Sequence, residues 1–117
     1  MDTVTKQYIE TVKVSDIPWH RLTTTYGRAT DFPTELDVLW NMESIEVVDA
    51  AGEALAQNIE HQLTLWYATP FAMIFLLRIF KKAQEERAHN EVAQYLAEQL
   101  VELFTVIAEC IRDGLML

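Results

Sequence analysis

Apolar residues recur at spacings of three and four along most of this chain, and sustained two-residue alternation is missing, so the pattern predicts helices. Ser44 reads as a cap, and Ile45, Val48, Ala51, Leu55 and Ile59 after it define one apolar face. From Asn90, the stripe Val92, Ala93, Leu96, Leu100, Leu103, Ile107 and Ile111 runs for about six turns, with Gly114 as its stop. A helix starting near Pro70 carries Phe71, Ile74, Phe75, Leu76, Leu77 and Phe80 around nearly its whole circumference, which belongs in the centre of a bundle. Asp31-Phe32-Pro33 opens another, with Leu36, Val38, Leu39 and Trp40 on it and Asn41 at its end.

The amino-terminal part is less regular. Residues 1–16 read as an arm or a weak helix, and the pattern does not choose between them. Ser15-Asp16-Ile17-Pro18 is a helix start, and Gly27 closes the short element after it. Glycine falls only at 27, 52 and 114 and proline only at 18, 33 and 70, too sparse a punctuation for strands joined by tight turns. The expected fold is all-α: one domain over residues 1–117, a compact bundle of antiparallel helical hairpins in two layers.

Composition narrows the function. The 117 residues are half apolar, enough to bury a core without metals or crosslinks, and no cofactor is expected. The lone Cys110 cannot form an internal disulfide and reads as a packed thiol. Residues 1–6 lack the basic and apolar regions of a secretory signal, so a cytoplasmic location is expected. The most apolar window, 63–80, is broken by Thr64, Thr69, Pro70 and Arg78 and reads as a buried helix rather than a membrane span. Eighteen acidic against nine basic side chains give a net charge of -9, which argues against nucleic acid and for a basic protein partner.

Two segments carry a resemblance: Pro18-Trp19-His20-Arg21-Leu22-Thr23-Thr24-Thr25-Tyr26-Gly27-Arg28-Ala29-Thr30-Asp31-Phe32-Pro33, and Asn58-Ile59-Glu60-His61-Gln62-Leu63-Thr64-Leu65-Trp66-Tyr67-Ala68-Thr69-Pro70. They resemble the opening of small bacterial proteins with HEAT-like helical repeats, over roughly residues 18 to 80. That resemblance implies HEAT-like two-layer packing, and bears on architecture more than on activity. Relatives are often longer, so a chain ending at Leu117 is expected to be a two-hairpin version. In size, charge and fold style the chain also resembles immunity proteins of bacterial toxin systems, including contact-dependent growth inhibition.

The distribution of charge is the sharpest functional signal. Between Arg28 and Arg78 there is no Lys or Arg, while Asp31, Glu35, Asp37, Glu43, Glu46, Asp49, Glu53 and Glu60 all fall there. Glu46, Asp49, Glu53 and Glu60 share one stripe on the side opposite Val48, Ala51 and Leu55. A solvated outer face is the plain alternative, but like charges at this spacing repel, and a cationic partner would relieve that repulsion. Trp40, Trp66 and Tyr67 are candidate interface anchors, with core packing as their alternative. Arg78, Lys81, Lys82 and Arg87 read as a solvated helix end complementing its own dipole.

Catalysis is not expected. Glu60, His61 and His20 are the nearest approach to an acid/base set, and no His-x-x-x-His or Cys-x-x-Cys spacing suggests a metal. The expected function is an inhibitor: a cytoplasmic immunity protein covering the basic active site of a toxin, most concretely a nuclease. Its expected contact residues are Glu35, Trp40, Glu46, Asp49, Glu53, Glu60, Trp66 and Tyr67. The alternative is a HEAT-like scaffolding module whose apolar helix 71–80 faces a sister chain in a homo-oligomer. Neither a membrane nor a nucleic acid is an expected partner.

Overall fold

Side-chain caps at Ser44 and Asn90 set the starts of two of the long helices. In the computed structural model, which describes residues 3–24, 27–28, 30–60 and 69–112, five helices account for most of the fold: α1 (Thr3–Thr11), α2 (Phe32–Asn41), α3 (Ile45–Glu60), α4 (Thr69–Glu86) and α5 (Glu91–Arg112). Ser44 Oγ accepts from the Val47 amide at 3.3 Å, so the expected cap forms, and Asn90 Oδ1 accepts from the Val92 and Ala93 amides at 3.0 and 3.3 Å, capping the last helix. Asp31 adopts helical angles itself, and its side chain makes no cap bond.

At the end of α2, Asn41 stays helical and bonds Asp37, while Met42 takes the left-handed cap position at φ 50°. A non-glycine residue there costs about 1–2 kcal/mol. The Met42 side chain is buried, which contributes about 1.5–3 kcal/mol and so offsets a backbone strain of that size.

The segment between α1 and α2 departs from expectation. Instead of one helical element closed by Gly27, it forms two 3-10 turns, Val14–Asp16 and Trp19–Arg21, and a minimal antiparallel ladder of β1 (Thr23–Thr24) on β2 (Gly27–Arg28). Asp16 ends the first turn, its carboxylate accepting from the Lys13 amide at 2.9 Å. Trp19 is buried, donates to the Val14 carbonyl at 2.9 Å, and packs against Phe32 and Phe75 at ring distances of 5.6 and 6.0 Å. This indole ties the amino-terminal segment to α2 and α4, and its only donor is satisfied.

The four longer helices close on one another: α2 packs on α3 and α4, and α5 packs on α3 and α4. Leu36, Leu39, Val48, Leu55, Leu76 and Leu96 lie at the centre of their shared core. The radius of gyration is 14.0 Å, close to the ~13 Å expected of a compact chain of this length. On α4 only one side is fully covered, by burial of Ala72, Phe75, Leu76, Ile79 and Ala83, whereas Leu77 is 51 % exposed. The expected all-round burial of this helix is therefore not found. No helix among the described residues is long and apolar enough to cross a membrane.

Residues 3–11 form a helix with no buried residue. Its carboxy-terminal carbonyls are satisfied from far along the chain: Arg78 donates to Val12 at 2.5 Å and Ile9 at 2.7 Å, with its guanidinium 5.0 Å from the Phe75 ring centre. Lys82 similarly donates to the Trp40 carbonyl in the last turn of α2. The cations at 78 and 82 complement the dipoles of α1 and α2, which corrects the reading of a cluster serving its own helix end.

Candidate functional site

Helical spacing on α3 turns Val48, Ala51 and Leu55 inward and leaves Glu46, Asp49 and Glu53 exposed. The carboxylates flank the core face closely enough for Asp49 and Glu53 to border the seam with α5, rather than standing squarely opposite it. Across that seam, α5 buries Leu96 and Leu100 and supplies Tyr95, Gln99 and Glu102 to the flank. Tyr95 Oη donates to Asp49 Oδ1 at 2.5 Å, joining the two helices at the surface.

The phenol of Tyr95 registers the local field. Its pKa is raised above the ordinary value, first by the hydrogen bond to Asp49, then by desolvation, then by the charges of Asp49, Glu102 and Glu53. Carboxylates from two helices thus act on one point, the condition under which an approaching cation is attracted before contact.

Between these flanks lies a cleft of about 330 Å³. Leu39, Leu76 and Leu100 contribute to its floor, and Asp49, Glu53 and Glu102 to its rim; no Lys, Arg or His is among its described lining residues. Gly52 opens onto it from the middle of α3. A Cβ built there would have only Leu39 Cδ2 nearby, at 4.0 Å, so packing does not require glycine. Glycine inside a helix costs about 0.5–1 kcal/mol against alanine, and it leaves this stretch of the cleft wall without a side chain.

The expected contact residues separate in space. Glu46, Asp49 and Glu53 share the exposed side of α3, and Asp49 and Glu53 meet Glu102 at the cleft. Glu35 does not line the cleft: it is half-buried on α2, with Oε2 shielded from solvent and without a hydrogen-bond partner. Burial first, and the neighbouring charge of Asp31 second, raise its pKa to about 7. Among the described carboxylates of the set, this one is the least suited to act as a surface charge.

Trp40 is 45 % exposed, but the Lys82 ammonium stands 4.7 Å from its ring centre, so one face already has a partner. The Glu60 side chain, Trp66, Tyr67, His61, the Cys110 side chain and Gly114 lie outside the described residues. His20 and His89 are exposed, and the described residues contain no group of three or more His, Cys, Asp and Glu placed to hold a metal.

Tyr95, Gln99 and Glu102 were missed in the sequence, although a signal for them exists. They recur at intervals of four and three, one position before Leu96, Leu100 and Leu103, and so form the polar border of the α5 stripe. What the sequence does not carry is which border of α3 this one meets. Comparison of the chain with protein-family models, with curated proteins and with solved structures finds no match.

Proposed function

We propose that this chain is an inhibitor-type binding protein, a cytoplasmic immunity protein whose α3–α5 face covers the cationic active site of a toxin, most concretely a nuclease. The observation that carries this reading is the convergence of Asp49, Glu53 and Glu102 around Tyr95 beside an apolar cleft. Clustered carboxylates destabilise the isolated protein through repulsion, and a basic surface would turn that cost into attraction and faster association. For the architecture we propose α2–α3 and α4–α5 as two antiparallel hairpins in two layers, the HEAT-like packing the resemblance implies, which bears on the fold and not on the choice of partner.

The test is co-production with the protein encoded by the reading frame beside this chain's own gene, with growth and binding as readouts. Wild type should restore growth. A Glu46→Lys/Asp49→Lys/Glu53→Lys variant should keep its helical spectrum, lose protection and bind about a hundredfold more weakly. Full protection by that folded variant would remove α3 from the interface.

A scaffolding module is the second reading, favoured by the apolar surface that Ile9 of α1 and Leu77 of α4, 36 % and 51 % exposed, form together. It predicts self-association through that face and no growth rescue by the wild-type chain.

A further inference from the structure

An acidic face alone would suit any cation, but here it frames an apolar opening into the core. Leu103 is half-buried at the cleft, Leu100 is fully buried beneath it, and Gly52 leaves the α3 wall without a side chain. A folded surface with carboxylates and no apolar opening would meet a purely cationic partner equally well, so the cleft calls for more than charge. Resting on the reading of the α3–α5 face as the binding surface, we infer that its occupant is a helical segment of the partner bearing an apolar anchor flanked by Lys or Arg. The anchor enters the cleft beside Gly52, while the flanking cations meet Asp49 and Glu53 on one side and Glu102 on the other.

Charge complementarity selects this occupant. The cleft rim is acidic on both helices and its described lining has no cation, so an acidic or neutral apolar helix gains less than a basic one. Helix-in-groove recognition reads apolar anchors at spacings of three, four and seven, and a wall without a large side chain at 52 leaves the cleft open to the incoming anchor. At about 330 Å³ the cleft accommodates one or two large apolar side chains, at the lower end of the range for ligand pockets.

The probes are three labelled peptides of about 18 residues, long enough for five helical turns. One has Leu at anchor spacing with Lys beside it, the second replaces Leu with Ala, and the third replaces Lys with Glu. Fluorescence anisotropy with the full chain should show binding of the Lys/Leu peptide, with each of the others at least about tenfold weaker. Gly52→Phe should weaken the Lys/Leu peptide by more than about tenfold and leave the Lys/Ala peptide unchanged, whereas Gly52→Ala should retain binding. If Gly52→Phe loses its helical spectrum, Leu103→Asn makes the same test from the α5 side. Neutralising Asp49, Glu53 and Glu102 together as Asn, Gln and Gln should also weaken the Lys/Leu peptide about tenfold and flatten its salt dependence.

No binding of the Lys/Leu peptide would overturn the inference. Equal binding of the Lys/Leu and Lys/Ala peptides would also overturn it, as would full binding by folded cleft variants. If affinity still fell in the neutralised variant, the acidic face would stand without the anchor. Binding that survives neutralisation but not Gly52→Phe would instead remove the charges, and with them the proposed function.

Discussion

Glu35 shows how burial changes the meaning of a charge. Its carboxyl is raised to about 7 by burial and by Asp31, so the folded protein holds this proton more tightly than an unfolded chain with the ordinary value of 4.5. Stability linked to this group is complete below pH 4.5 and is lost as pH rises through 7. The full shift would correspond to about 3 kcal/mol, which the side chain's partial solvent access reduces to about 1 kcal/mol. Glu35→Gln should therefore stabilise the protein by about 1 kcal/mol at pH 8 and by much less at pH 4, as read from urea denaturation at both values. An equal effect at the two pH values would mean that Glu35 ionises like a surface residue. Nothing in the residue's identity announces this, because a carboxylate on the flank of a predicted helix counts the same whether its oxygen faces water or the core.

The helices differ in how much of their stability is local. The apolar faces of α3 and α5 and the Ser44 cap were legible because each signal lies within one turn of the residues it organises. α1 was not legible: its nine residues are fewer than the roughly 12–15 an isolated helix needs, it buries no side chain, and Arg78 holds it from α4, 69 residues beyond Ile9. Nor was the ladder at Thr23–Thr24 and Gly27–Arg28, since two paired residues per strand leave no periodicity to read. Arg78→Met keeps an apolar stem over Phe75 but removes the donors to Ile9 and Val12. Amide exchange should then rise selectively in α1, with α2 to α5 protected as before. Unchanged α1 protection would show that contacts other than the guanidinium hold this helix.

The molecule distributes its charge unevenly. Two of its cations, Arg78 and Lys82, serve the carboxy-terminal ends of α1 and α2, and Lys82 also lies near Trp40 and 3.8 Å from Glu86. The cleft between α3 and α5 is bordered by carboxylates from both helices. The acidic stretch between Arg28 and Arg78 was evident in the sequence, but its division into a shielded Glu35 and a cleft rim completed by Glu102 depends on which helices pack together. Two surfaces are candidates for binding: the acidic cleft of α3 and α5, and the apolar surface where Ile9 of α1 meets Leu77 of α4. Hydrogen exchange of the full chain, with and without the protein encoded beside its gene, distinguishes them directly. Binding at the cleft should add protection across α3 and α5 around Asp49, Gly52 and Glu102, declining as salt is raised, with α1 unchanged. Protection confined to α1 and the Leu77 side of α4, with α3 and α5 exchanging as in the free protein, would contradict it.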